Sequence, residues 1–325
     1  MNEQENKGNQ KVLVVGGAGY IGGAVTDILM QKNIPFTVYD NLLYEHQYLK
    51  PVDFIYGDVR DTEKLSKILP NYSAVIWLAA LVGDGACQVR PDLTVAINQE
   101  SVDWLAKNYN GRIIFISTCS VYGKNDAEVN EESVPNPLSL YAETKIKCEE
   151  ILKDKNSFII RLGTVYGLSD TYSRVRMDLA ANYMTANAVI KGKLSVFGGS
   201  QWRPLVHVKN VGEILVKGLE NPWKGVYNFA TSNYQIKELG AEIAKITGCQ
   251  IEYVEEKFED QRNYHASTAK AERDGLLKLD KIYTLADGVK EISDVVSSRR
   301  VKFVENDVYF NVRYIASLNE HGELK

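Results

Sequence analysis

Tyr141 and Lys145 stand four apart in YAETK, the spacing that puts two side chains on one helix face with β-carbons about 5–6 Å apart. An ammonium beside a phenol stabilises the phenolate and lowers a pKa that starts near ~10. Such a phenolate can take the proton of an alcohol while a hydride leaves the same carbon. By itself the pattern also describes an ordinary surface helix pair. Thr118 adds a third group. It ends the apolar run RIIFIST, and a hydroxyl at the carboxyl end of a strand can hold an alcohol oxygen.

A departing hydride needs an acceptor, and the stretch KVLVVGGAGYIG (11–22) offers a place for one. Its apolar run reads as a strand buried on both faces. Gly16, Gly19 and Gly22 follow, with Tyr20 and Ile21 between the last two, and then a helical pattern opens. The glycines permit a tight turn, close backbone approach to a pyrophosphate, and helix-on-strand packing. The helix start offers free N–H groups and a positive dipole end to phosphates. Asp40, followed by Asn41, closes the next apolar run. A carboxylate there accepts both adenosine-ribose hydroxyls and repels a 2′-phosphate, which reads as NAD rather than NADP. A strand-end turn residue is the alternative.

Positioning these groups takes a regular scaffold. Residues 11–16, 35–40, 53–57, 73–79 and 112–117 read as buried strands, with helical patterns near 20–32, 61–69 and 91–109. That alternation predicts an α/β fold: a Rossmann-type, doubly wound parallel sheet with right-handed crossovers. Asp58 and Val59 follow the third strand, where the carboxylate either accepts from an adenine amino group or caps a helix. Leu78, Ala79 and Ala80 follow the fourth, small enough to let a cofactor lie close over the sheet edge. The expected division is a flexible lead-in (1–10), a cofactor domain (11–167), a smaller α/β substrate domain (168–300), and a polar β-hairpin with tail (301–325). Later segments of the chain return to the cofactor domain. The hairpin reading rests on the turn signal Glu305-Asn306-Asp307.

Composition narrows the function classes. With 325 residues, 45% hydrophobic and 25% charged, the chain suits a globular enzyme. A net charge of −4 argues against a general nucleic-acid binder. No apolar run is long enough to span a membrane. The polar MNEQENKGNQ lacks the core of a signal peptide, and the scattered Cys87, Cys119, Cys148 and Cys249 suit a reducing cytoplasm. Four histidines without paired spacing make no case for a metal.

The chain resembles the extended short-chain dehydrogenase/reductases of the nucleotide-sugar epimerase/dehydratase type. GGAGYIG (16–22), YDN (39–41), GDVRD (57–61), LAA (78–80), STCSVYG (117–123), YAETK (141–145), RLGTVYG (161–167), RPLVHVKNV (203–211) and DQRNY (260–264) carry the likeness. It implies Thr118, Tyr141 and Lys145 as catalytic, with Leu162, Gly163 and Thr164 beside the reacting sugar. It further implies that Arg203 and Arg262 grip the substrate's diphosphate, a task suited to bidentate guanidiniums. Arg174 and Arg176 reach from the cleft lip toward substrate or are solvated charges, and Asn182 is a candidate pyrophosphate contact by rough alignment of its helix. A homodimer is also implied, pairing helices near 91–109 and 138–154. Leu140, Ile146 and Ile151 belong either to that seam or to the core.

Departures from the family pattern bear on the reaction. The sugar 4,6-dehydratases carry Asp-Glu directly after the catalytic threonine, whereas Cys119 and Ser120 stand here, so water elimination is not expected. Trp77 replaces a frequent His, and Thr164 replaces the usual Asn. The longer signatures AALVGD, STCSVYG and RLGTVYGLS resemble a bacterial subgroup of surface-polysaccharide assembly. That likeness implies oxidation at C4 of a GDP-linked heptose, with NAD retained as NADH until a 2-oxo acid reoxidises it. A 4-epimerase uses the same machinery. A non-catalytic sensor of NAD or nucleotide sugar is the remaining alternative, and such sensors usually lose the Tyr or Lys.

Overall fold

The computed structural model describes residues 11–45, 47–197, 199–254 and 262–324; the expected lead-in, 1–10, lies outside them. Seven parallel strands form the central sheet. They are β1 (Val12–Val15), β2 (Phe36–Asp40), β3 (Phe54–Tyr56), β4 (Ala74–Trp77), β5 (Arg112–Thr118), β7 (Ser157–Leu162) and β11 (Gly225–Phe229), with β6 (Lys124–Val129) and β8 (Thr164–Tyr166) elsewhere. Their order across the sheet is β11-β7-β5-β4-β1-β2-β3. Residues 225–229 thus return from the second half of the chain to the first sheet.

Alternate residues of each strand feed opposite faces, as the pleat dictates. Leu13, Val15, Val75, Trp77, Ile113 and Phe115 build one core, while Val12, Val14, Ile76, Ile114 and Ile116 build the other. Helix α1 (Tyr20–Gln31) covers the second face together with α8 (Val208–Glu220). The first face is covered by α5 (Ser101–Asn108) and α6 (Leu140–Leu152). Ile146 and Ile151 pack partly against buried clusters.

The pattern over 91–109 resolves into α4 (Pro91–Val95), a π-turn at Ala96–Glu100, and α5. The π-turn carries the buried Asn98. Its amide accepts from Leu81 N at 2.8 Å and donates to Leu81 O at 2.9 Å, fixing the backbone after β4. Asp61, not Asp58, caps α2 (Thr62–Ile68), accepting from Lys64 N at 3.0 Å. The helix-cap alternative for Asp58 is therefore removed.

The second half of the chain makes smaller sheets. β8, β10 (Trp202–His207) and β12 (Ser232–Gln235) form a three-stranded one, and β9 (Lys193–Phe197) pairs with β13 (Gln250–Val254). Around them lie α7 (Ala180–Lys191), α9 (Ile236–Thr247), α10 (Ala269–Arg273) and α11 (Leu285–Ser297). The acidic stretch after Gly123 gives β6, which pairs in parallel with β14 (Asn263–Ala266).

The expected C-terminal hairpin is not formed. Asp307–Tyr309 is a short 3-10 turn, and Asn311–Glu320 is helix α12. Asn306 caps the 3-10 turn through its side chain, accepting from Val308 N at 3.1 Å. Tyr314, Ile315 and Leu318 then recur at helical spacing and bury against the first core cluster, where α3 (Asp84–Val89) also packs. The polar turn residues start a helix because that apolar stripe has somewhere to go. Among the described residues, no helix is long and apolar enough to cross a membrane.

Candidate active site

The parallel register aligns the carboxyl ends of the strands, so the loops that follow β1, β2, β4, β5 and β7 open on one cleft. At β1 the turn is built from glycine for steric reasons. Gly16 has φ +81°, and a β-carbon on it would stand 2.5 Å from Ala79 N. A β-carbon on Gly22 would stand 2.4 Å from Gly17 O, so only glycine lets α1 lie this close to the turn. Gly19 precedes α1 with no side-chain cap, leaving the N–H groups of the first turn directed at the cleft.

Asp40 closes the cofactor side. Its two oxygens accept from Ala18 N at 3.0 Å and Leu42 N at 2.8 Å, and burial pushes its carboxyl above the usual range. These bonds pin the carboxylate beside the glycine turn with lone pairs left for hydroxyl donors. Asp58 accepts from Arg60 Nε at 2.8 Å and Asn41 Nδ2 at 3.1 Å. Those bonds to Arg60 and Asn41 hold it below the ordinary carboxylate range in spite of burial. Tyr20, Ile21, Val59, Leu78, Ala79 and Ala80 line the same side. A bare glycine cradle, an uncapped helix start and a fixed carboxylate are the parts a dinucleotide requires, and these residues fit NAD.

Thr118, Tyr141 and Lys145 line the cleft together, with Leu162 and Thr164 beside them. Thr118 accepts from Ser120 N at 3.1 Å, which leaves its hydroxyl proton to donate outward. Lys145 Nζ donates to Ile116 O at 2.9 Å and lies 4.7 Å from the Phe115 ring centre and 5.9 Å from that of Tyr141. Burial lowers the Lys145 pKa. Burial also drives the Tyr141 phenol upward, with Cys87 and Asp84 adding to the effect. The lowering expected from the Tyr-Lys pair is not found: desolvation dominates, and the charge working against it is that of Arg176.

A buried network holds this face in place. Glu149, one helical turn beyond Lys145, accepts from Arg161 Nη2 at 2.6 Å and from Ser117 Oγ at 2.5 Å. Arg161 Nη1 donates to Tyr122 OH at 2.8 Å. The Cys119 thiol faces Arg161 O at 3.3 Å, and burial raises its pKa, so it is no acid for a sugar.

The substrate-side residues are distributed unevenly. Arg203 and Arg262 line the cleft, Arg203 lying 5.5 Å from the Tyr264 ring centre and Arg262 Nη1 standing 3.1 Å from Asp84 Oδ2. Arg174 and Arg176 also line it, Arg176 paired with Asp178 at 2.9 Å. Asn182 does not serve as expected. It is 1% exposed, and its amide is spent on Gly167 N at 2.9 Å and Arg176 O at 2.9 Å, bracing the loop rather than facing a ligand.

Sequence reasoning missed Asp84, Tyr44, Asn311 and Val312, all of which line the cleft. Asp84 accepts from Ser139 Oγ at 2.7 Å, and Ser139 caps α6, the helix of Tyr141 and Lys145. AALVGD contained the signal for Asp84. Nothing local marked Asn311 and Val312, which arrive through the docking of α12. Among the described residues no cluster of His, Cys, Asp and Glu could hold a metal ion.

The geometry has counterparts in known proteins. A 4-epimerase of Escherichia coli O157:H7 acting on N-acetyl-alpha-D-glucosaminyl-diphospho-ditrans,octacis-undecaprenol is 26% identical over 249 residues, 72% of each chain. The UDP-glucose 4-epimerase of Lactobacillus helveticus is 28% identical, covering 75% of this chain and 83% of its own. The crystal structure of Bacillus cereus UDP-glucuronic acid 4-epimerase with UDP-glucuronic acid and NAD is 25% identical. It superposes with a TM-score of 0.73 over 89% of this chain and 99% of that one. The sequence model described as the NAD dependent epimerase/dehydratase family matches residues 12–230. The chain belongs to that family, with a Rossmann-like parallel sheet and NAD as its cofactor.

Proposed function

We propose that this enzyme oxidises a nucleoside-diphosphate sugar at C4. One observation carries the reading: Thr118, Tyr141 and Lys145 line a single cleft between the glycine turn with Asp40 and the guanidiniums of Arg203 and Arg262. Thr118 donates its hydroxyl proton to the C4 oxygen and orients it. Tyr141 takes the C4 hydroxyl proton as general base. Lys145, held on Ile116 O, offsets the charge of the Tyr141 phenolate until the C4 proton neutralises it. Arg203 and Arg262 hold the diphosphate, so that binding energy far from C4 sets its position. NAD, when bound, accepts the hydride and brings the positive charge of its nicotinamide near the phenol.

The substrate assigned here is GDP-D-glycero-α-D-manno-heptose, and the activity a 4-dehydrogenase that releases the ketone. The signatures AALVGD, STCSVYG and RLGTVYGLS support it. A 2-oxo acid as second substrate would reoxidise the cofactor, taking up the hydride and one proton to leave as the 2-hydroxy acid. A 4-epimerase, which returns the hydride to the other face of the ketone, is the second reading. The 4-epimerase activity named for the relatives above favours it.

A product mass spectrum after incubation with GDP-manno-heptose and NAD separates these. Loss of two hydrogens supports the dehydrogenase, and an unchanged mass with a new isomer supports the epimerase. Loss of water would overturn the reading of Cys119 and Ser120. An unchanged sugar removes the heptose assignment.

A further inference from the structure

Two pairs of guanidinium groups line the cleft, and they are fastened to different parts of the fold. Arg203 and Arg262 belong together, since Arg203 Nη1 donates to Arg262 O at 2.5 Å. Arg174 and Arg176 lie on the stretch 168–178, which is tied to the cofactor side. Asp170 Oδ2 accepts from Lys50 Nζ at 2.7 Å, and both side chains are 1% exposed. The same ammonium reaches Gly23 O at 3.1 Å and Thr26 Oγ1 at 2.7 Å, both on α1. Tyr20 OH donates to Gly167 O at 2.6 Å, and Arg174 N donates to Glu45 Oε1 at 2.8 Å. The stretch therefore lies over the first turns of α1 and the segment that follows Asp40.

The two arginines differ in how their charge is met. Arg176 has Asp178 at 2.9 Å and lies 6.0 Å from the ring centre of Tyr20, the first residue of α1. The Arg174 guanidinium bonds to neutral oxygens: Val308 O at 2.5 Å and Asn311 Oδ1. It stacks 4.5 Å from the Tyr44 ring centre. Burial, and Arg176 after it, push the Arg174 pKa down, as expected for like charges sharing a poorly solvated place. Tyr44 OH is buried without a hydrogen-bond partner. Asp178 and Glu45 act on this charge from a distance, but no carboxylate bonds the guanidinium, and with an orphaned hydroxyl beside it the place can take an anion.

We propose that Arg174 and Tyr44 form a binding site for the diphosphate of NAD, closing over it opposite the start of α1, with α12 bracing the guanidinium. Two diphosphates enter this cleft: the one on the substrate meets Arg203 and Arg262, and the one on the cofactor meets Arg174 and Tyr44. Val308 and Asn311 bring the C-terminal segment into cofactor binding. The assignment moves Arg174 away from the substrate, where the sequence placed it. It rests on NAD as cofactor and not on the sugar, so its failure leaves the C4 reading standing.

Equilibrium binding to the purified full chain, followed by calorimetry without turnover, tests it with three probes: NAD, ADP-ribose and GDP. Arg174→Met keeps the aliphatic packing and removes the charge. Loss of a charge-assisted pair predicts about tenfold or more weaker binding of NAD and of ADP-ribose, with GDP unchanged. Unchanged NAD affinity overturns the proposal. Weaker GDP binding alone returns Arg174 to the substrate, and equal weakening of all three makes it a structural residue. Arg174→Lys serves if the Met variant does not fold. It keeps the charge but loses the fork, so NAD affinity should fall by a smaller factor, and equal affinity again overturns the site. Tyr44→Phe gives a further check through a loss confined to NAD and ADP-ribose.

Discussion

Glu149 Oε2 lies 2.6 Å from Arg161 Nη2, and the two side chains are only 7% and 5% exposed. This pair joins the helix of Tyr141 and Lys145 to the strand that ends at Leu162. Removing one partner leaves an uncompensated buried charge, which costs about 3–5 kcal/mol. Arg161→Met should lower stability by that amount in urea or guanidinium unfolding. The double variant Glu149→Leu/Arg161→Met should lose less than the single one. A single-variant loss below about 1 kcal/mol would mean that the charge is met elsewhere.

Tyr141→Phe removes the proton acceptor and little else. Turnover should fall by roughly 10²–10⁴-fold or more, the usual range for a general base. NAD binding should stay within about twofold of the parent, since Asp40 and the glycine turn are untouched. Surviving turnover would remove Tyr141 from its role.

Asp40 fixes the backbone at Ala18 and Leu42 as well as facing the ribose site. Asp40→Ala should therefore weaken NAD and relax the rejection of NADP. Binding titrations with both dinucleotides report the ratio, and an unchanged ratio would sink the 2′-phosphate argument.

Glu45 supplies a pH signature. Burial, the larger effect, raises its carboxyl from 4.5 to about 7, against the hydrogen bond from Arg174 N and the Arg174 charge. The unfolded chain thus ionises first. Stability linked to this group is full below pH 4.5 and declines as pH rises toward 7. The penalty above that window is on the order of 3 kcal/mol. Glu45→Gln keeps the acceptor for Arg174 N and removes the titration. Its melting temperature should exceed the parent's at pH 8 and match it at pH 4. Equal curves at both pH values would count against the burial.

The thiols should react unequally. Cys87, Cys119 and Cys148 are buried, and burial raises Cys87 and Cys148 to about 12, whereas Cys249 is half-exposed. A disulfide reagent should modify Cys249 rapidly in the native protein and the other three only on unfolding. Rapid labelling of Cys119 would contradict the structure beside Thr118.

The sequence alone determined five of the seven strands of the sheet and its cofactor edge. The runs ending at Val15, Asp40, Trp77 and Thr118 are apolar on both faces, and such runs have one stable use, as central parallel strands. Gly16, Gly22, Asp40, Tyr141 and Lys145 were legible because their spacing is local. Tertiary structure decided whatever depends on distant partners. Residues 311–320 became a helix, not a strand, because the apolar face of Tyr314, Ile315 and Leu318 found the core beside α3. Asn182 became a brace because Gly167 and Arg176 were folded against it. Asp84 joined the cleft through Ser139 and Arg262, which are 55 and 178 residues away in sequence. Arg174 met Tyr44 and Asn311 across similar gaps. Hydrophobic periodicity specifies which face is buried, whereas the fold specifies against what, and the second half of this site is made of such meetings.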